Sequence, residues 1–208
     1  MLSYERDGAT IYRESFAIIR AEADLGDVAK DLEPVVVRMI HACGMTDLPS
    51  LVCASPRFAG VARAALRSGA PILTDSMMLA NGITRSRLPA NNPVICTLNH
   101  PGVPDGARRL ATTRSAAAVE HWLPHVDGSL AVFGNAPTAL FRLLELILEG
   151  RARPAAIIGL PVGFVGASES KEALRTSNHD VDYLVVRGRR GGSAMAAAAV
   201  NALANDTE

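Results

Sequence analysis

No charge of one sign prevails in this chain: 21 basic residues stand against 21 acidic ones over 208 positions. That balance excludes a global field able to draw the protein to nucleic acid or to an anionic membrane. Cysteine is scarce. Cys43, Cys53 and Cys96 are an odd number without CxxC spacing, which argues against a disulfide framework and a cysteine zinc site and fits a reducing, cytoplasmic setting. No apolar run is long enough to cross a bilayer. The opening stretch, "MLSYERDGATIYRESF", is charged early and lacks the apolar core of a secretory signal. Lysine is also nearly missing, with Lys30 and Lys171 beside 19 arginines. Arginine forks onto carboxylates, so the bias fits a ligand rich in them; it equally fits a codon bias that enriches Ala and Arg.

What is present is apolar: 49% of residues are hydrophobic and 20% charged, the balance of a folded globule. The charges are unevenly spread. Eight acids precede Pro34, whereas five arginines between Arg85 and Arg114 face only Asp105. A cationic middle suits an anionic ligand, and solvated surface faces are the plainer reading.

Two N-terminal helices are predicted. "GATIYRESFAIIRAEA" places Ile11, Phe16, Ile18 and Ile19 near one face, and "EPVVVRMIHACG" opens on proline and stops at glycine. Beyond them, short apolar runs ("SLVCAS", "PILTD", "VICTL", "SLAVFG", "AAIIGLP", "YLVVRG") alternate with Ala- and Leu-rich stretches. Such alternation predicts an α/β protein: a doubly wound, mostly parallel sheet flanked by helices, in one domain over residues 1–208. Ligands of such sheets collect beyond the carboxyl ends of the strands. Ser55, Thr74, Asp75, Thr97, Asn135 and Thr138 fall there, with "GFVGASES" and "RGRRGGS". Each could hold an anion, and each is also an ordinary βα turn. "GRRGGSAM" is neither a GxGxxG fingerprint nor a GxxxxGK[ST] phosphate loop, so nothing specific supports a nucleotide site.

"VVVRMIHACGM" sets Arg38 and His41 three apart among apolar residues. A charge there needs a partner or a task. On a helical wheel Pro34, Arg38 and His41 form one stripe facing a cleft, a partner subunit or water. One reading makes His41 catalytic; the other makes it a cation at the helix C-terminus, three residues before Gly44.

"RMIHACG", "GAPILTDSMMLANGITRSRLP", "TTRSAAA", "GNAPTALF", "PAAIIGLPVGFVGASESKEAL" and "VVRGRRGGSAMAAAAVNAL" together resemble the precorrin-8X methylmutases of cobalamin biosynthesis, from about the first helix to the last. Cobalt-precorrin-8 methylmutases, which take a cobalt-containing ring, are close relatives. The resemblance implies a cofactor-independent isomerase that moves a methyl group from C11 to C12 of a corrin precursor, giving hydrogenobyrinic acid. It implies a homodimer and an α/β fold. It also implies that His41 is catalytic and that Ser15 and Arg38 touch the substrate.

A methyl shift of this kind is promoted by protonating, or hydrogen-bonding to, a ring nitrogen near the migration site, and histidine gives and recovers a proton near neutrality. The macrocycle's face asks for aliphatic lining, for which Val37, Met77, Met78, Leu79, Val162 and Phe164 are candidates. Its carboxylate fringe asks for forks and amides: Ser15, Arg38, Thr84, Arg85, Arg114, Asn135, Ser168, Lys171 and Arg190. For Lys171 and Arg190 an exposed, solvated role is the alternative. Thr84 and Arg85 either clamp a propionate or form a solvated turn. His100, His121, His125 and His179 read as structural or surface residues. Two other classes compete: a tetrapyrrole carrier that converts nothing, and a nucleotide- or flavin-binding domain suggested by fold class alone.

Overall fold

The structure, a computed structural model, describes residues 2–205. Helix α1 (Gly8–Glu22) begins where the Asp7 carboxylate accepts the Thr10 N–H at 2.9 Å. Helix α2 (Glu33–Cys43) opens with Pro34 in its first turn and closes on Gly44. Arg20 Nε lies 3.4 Å from Glu33 Oε1, so the end of α1 meets the start of α2 and the two run antiparallel. Phe16 and Ile19 of α1 are buried, whereas Ile11 and Ile18 are about half exposed. The single apolar face expected for α1 is thus two: residues seven apart share one stripe, and Phe16 and Ile19 occupy another.

After these come β1 (Val52–Ala54), α3 (Phe58–Arg67), β2 (Ile72–Thr74), α4 (Met77–Gly82), β3 (Val94–Ile95), α5 (Val103–Arg109) and α6 (Arg114–Val119). The chain continues through β4 (Leu130–Phe133), α7 (Pro137–Leu148), β5 (Ala156–Gly159), α8 (Ala167–Thr176), β6 (Asp182–Val186) and α9 (Ser193–Leu203). The strands form one sheet in the order β1-β6-β5-β4-β2-β3. All neighbours pair in parallel except β1, which runs antiparallel to β6 with Val52 opposite Val186. The expectation of a mostly parallel, doubly wound sheet holds. The first strand departs from it by entering at an edge in the reverse direction.

Side-chain alternation assigns the two faces. Ile72, Leu130, Val132, Ile158, Leu184 and Val186 point into the core made with α1, α2, α3, α4 and α9. Leu73, Ala131, Phe133, Ile157 and Val185 point to the opposite core, with α7, α8 and Trp122. α2 lies against the alanine-rich α9, whose small side chains allow close approach. The chain passes from β2 outward to β3 and then back across β2 to β4, so winding reverses between β2 and β4. Open α/β sheets usually hold ligands beyond the carboxyl ends of the strands at such a reversal.

Candidate active site

His41 stands in the last turn of α2, exposed, with its ring against two aromatic rings of α1. Tyr12 lies 5.4 Å away between centroids and Phe16 5.2 Å away, the latter edge-on at 64°. Arg38, one turn earlier, is 9% exposed, with its guanidinium 5.4 Å from the Phe16 ring centroid. A cation against an aromatic face is attracted by the ring quadrupole, and so Phe16 forms a shared wall for both polar residues. Ser15 precedes Phe16 and is half-buried. No hydrogen bond holds the imidazole of His41 among the described residues.

A second group occupies the carboxyl rim of the sheet. Arg190, after β6, donates from Nη1 to Asp47 Oδ2 at 2.7 Å, tying this loop to the segment that follows α2. Lys171 is 1% exposed, and its Nζ donates to the Arg190 carbonyl at 2.7 Å. The solvated alternative for Lys171 is therefore wrong: burial pushes its amine from the ordinary 10.5 down to about 8. Gly191 passes so near β5 that an added Cβ would sit 2.2 Å from the Leu160 carbonyl oxygen. Asn135, after β4, exposes its side chain while its backbone N–H donates to Asp75. Arg114 opens α6 and is exposed, with Nη2 3.4 Å from the Leu98 carbonyl oxygen. The Thr113 hydroxyl meets that of Thr138 at 2.7 Å, which sets Arg114 beside the loop carrying Asn135. Ser168 is exposed in the first turn of α8.

Thr84 and Arg85 lie elsewhere. Asn201, in the last turn of α9, accepts the Thr84 N–H at 2.8 Å and donates to the Gly82 carbonyl at 3.0 Å. Eight residues of α9 separate Asn201 from Ser193 at the rim, about 12 Å along the helix. Arg85 leans back on the Ala80 carbonyl at 3.4 Å.

The comparisons with known proteins agree on one family. The family model described as CbiC, precorrin-8X methylmutase, matches residues 10–206. The chain is 59% identical over 208 residues to a precorrin-8X methylmutase of Pseudomonas aeruginosa, covering 100% of both chains. It is 37% identical to a cobalt-precorrin-8 methylmutase of Methanothermobacter thermautotrophicus, covering 94% of this chain and 92% of that one. The solved structure of a precorrin-8X methyl mutase from Thermus thermophilus superposes with a TM-score of 0.86 at 40% identity, covering 95% of each chain. The chain belongs to the precorrin-8X methylmutase family. It is accordingly an enzyme, an isomerase.

Two openings mark the surface of this methylmutase-family chain, and one of them shares Tyr12 and Phe16 with the His41 wall. A cleft of about 550 Å³ beside β1 is lined by Asp24, Asp27, Asp31 and Asp47, a charge that repels a polycarboxylate. A groove of about 680 Å³ runs along α1 and includes Tyr12, Arg13, Phe16, Arg20 and Arg87. Its lining is aromatic at Tyr12 and Phe16 and cationic at Arg13, Arg20 and Arg87. Tyr12, Arg13 and Arg87 were not among the sequence candidates, although the 9, 12, 13, 16, 17, 20 spacing along α1 marks a single helical face.

The apolar lining needs correction as well. Val37 and Leu79 are 1% and 0% exposed and belong to the core, because each points at α9 or the sheet rather than outward. Met77, Met78, Val162 and Phe164 are exposed, and Arg189 lies 5.1 Å from the Phe164 ring centroid. His100 and His121 stack at 3.9 Å between centroids, away from the His41 group; burial and the neighbouring His100 hold His121 below its ordinary range.

Proposed function

We propose that the protein converts precorrin-8X to hydrogenobyrinic acid, with His41 lending a proton to the ring. The methyl's bond to C11 breaks as its bond to C12 forms, so product and substrate are isomers and the borrowed proton returns to the imidazole. Protonating a ring nitrogen, or donating a hydrogen bond to it, draws electron density from the conjugated system and lowers the barrier to migration. Imidazole, with an ordinary pKa of about 6.5, suits this exchange near neutral pH. The observation that carries the reading is the exposed His41 ring walled by Tyr12 and Phe16 beside Arg38. In this reading the wall fixes the imidazole's plane, and Arg38 and Ser15 anchor the edge of the ring.

Arg114, Asn135, Ser168 and Arg190 meet the carboxylate fringe, with Lys171 supporting Arg190 from beneath; Thr84 and Arg85 serve the fringe from the far end of α9. Met77, Met78, Val162 and Phe164 cover the ring's apolar face. The active unit is a cytoplasmic homodimer working without a cofactor. Among the described residues no helix is long and apolar enough to cross a membrane, and no cluster of metal-ligating side chains occurs. The metal-free ring is favoured over the cobalt-bearing one by the greater identity to the precorrin-8X enzyme, 59% against 37%. A nucleotide at the switch point is disfavoured because the Asp75 carboxylate already accepts the N–H groups of the turn there.

Mixing the purified protein with precorrin-8X and following the corrin's visible spectrum tests the activity; a carrier would leave the spectrum unchanged. His41→Ala is expected to slow conversion by at least about 100-fold while product still binds. Normal turnover in that variant ends the proton-lending role.

A further inference from the structure

At the point where the sheet's winding reverses, the protein supplies its own anion. Asp75 follows β2 and is 4% exposed. Its Oδ1 accepts the Gly134 N–H at 3.0 Å, and its Oδ2 accepts those of Asn135 at 2.8 Å and Ala136 at 2.6 Å. Burying a carboxylate is costly, and here burial pushes the group above the ordinary carboxylate range. The three donors, lying at the positive end of α7, offset that cost.

A chain that needed only to start α7 would place Ser, Thr, Asn or Asp at the cap position. Ala136 stands there instead and no side chain caps the helix; the turn leading into it is held by Asp75, 61 residues earlier than Ala136. The next residue does similar work. Ser76 caps α4 by accepting the Leu79 N–H at 3.2 Å, and its hydroxyl meets that of Ser193, at the start of α9, at 3.0 Å. The turn after β4 is pressed against this same helix start, since a Cβ on Gly134 would lie 2.7 Å from Ser193 Cα. Two adjacent residues thereby lock the loops after β2, β4 and β6 to one another. The side chain left exposed by the lock is Asn135.

We propose that Asp75 is a positioning residue: by holding the turn at residues 134–136 it presets Asn135 to receive the macrocycle's carboxylate fringe before substrate arrives. This rests on the substrate-contact role given to Asn135 above. A donor fixed in advance loses no conformational freedom on binding, so the gain is in affinity. Asp75 touches neither substrate nor reacting atoms and acts through the turn it holds.

Asp75→Asn keeps the side chain's size and one acceptor oxygen but turns an amide NH2 toward N–H donors. At a temperature well below its unfolding midpoint, this variant is expected to raise KM for precorrin-8X and Kd for hydrogenobyrinic acid about tenfold, with kcat changed by less than about threefold. Asn135→Ala should shift the same constants by a similar factor. The double variant should be no worse than the worse single one, because the two act in series. Product affinity within about twofold of the parent in Asp75→Asn, or a double variant whose loss is the product of the single losses, overturns the proposal.

Amide hydrogen exchange provides a test that needs no variant, should Asp75→Asn fail to fold. In the ligand-free enzyme the amides of Gly134, Asn135 and Ala136 are expected to exchange slowly, and equally slowly with hydrogenobyrinic acid bound. Fast exchange that slows only when product is added refutes presetting. Were the parent enzyme to convert no precorrin-8X, the proposed function would fall, while the exchange experiment would still decide whether the turn at residues 134–136 is fixed in the ligand-free protein.

Discussion

Phe16 is the residue on which the His41 site can be tested most sharply, because packing and site geometry meet in one ring. It is 6% exposed, with ring centroids 5.6 Å from Tyr12 and 5.2 Å from His41, and with the Arg38 guanidinium 5.4 Å away. Replacing it with leucine keeps most of the buried volume, which by itself costs less than about 1.5 kcal/mol. The ring contacts are lost in addition: each aromatic pair is worth about 0.5–1.5 kcal/mol and the cation contact about 0.5–1 kcal/mol. Non-additivity reduces the sum, and a loss of about 2 kcal/mol in urea unfolding is expected. The same change removes the ring against which His41 and Arg38 both pack, which in the proposed reading orients them. A misplacement of about 1 Å at a reacting group costs roughly 100-fold, so kcat/KM should fall about 10- to 100-fold. The assay is conversion followed by the visible spectrum, with unfolding curves on the same samples. Ile19→Val is the control. Ile19 is 7% exposed and one turn from Phe16, has no ring to offer His41, and should lose about 1 kcal/mol with unchanged kinetics. If Phe16→Leu loses the expected stability yet keeps kcat/KM within about twofold, the wall is packing alone and the reasoning fails.

Three further outcomes follow from the same geometry. His41→Ala should lower kcat by at least about 100-fold, the usual share of a positioned acid–base group, while product still titrates onto the protein. Lys171 gives a pH signature: its folded-state value of about 8 lies below the ordinary 10.5, so the unfolded chain binds more protons between these pH values. Stability should therefore rise with pH across that window, by up to about 3 kcal/mol, and Lys171→Met should flatten the rise in urea midpoints taken at several pH values. Gly191→Ala places a methyl against the Leu160 carbonyl oxygen and should cost more than about 3 kcal/mol in thermal unfolding, since backbone on both sides must move.

The inner strands β2, β4 and β5 were legible because each is a short apolar run buried on both faces and bounded by turn residues. "PILTD", "SLAVFG" and "AAIIGLP" became β2, β4 and β5 with little shift. Direction was not legible: "SLVCAS" carries the same pattern whether it runs with β6 or against it, and only pairing made β1 antiparallel. Within α2, the Arg38 and His41 stripe marked the polar side but not its surroundings. The wheel could not show that Phe16 of another helix would serve both residues. Nor could it show that Val37, adjacent in sequence to Arg38, would be sealed against the core. Thr84 and Arg85 stand between two elements and read equally as a propionate clamp or a solvated turn. The side chain of Asn201 ties this turn, at Gly82 and Thr84, to the far end of α9, a contact no local pattern announced. Asp75 stood among the strand-end residues without a distinct signal, since its three donors come from a loop some sixty residues later in the chain.

The sequence by itself determined the element types, the single histidine on a helix otherwise apolar around most of its circumference, and the family through motifs spread over nearly the whole chain. These are local properties: side-chain period, caps and breakers act over a few residues, and a motif is read where it stands. The tertiary structure alone decided which residues share a cleft, which way β1 runs, and which buried charge holds which turn. Those outcomes depend on contacts between segments far apart in the chain, where burial and hydrogen-bond satisfaction are settled jointly and no single stretch carries the information.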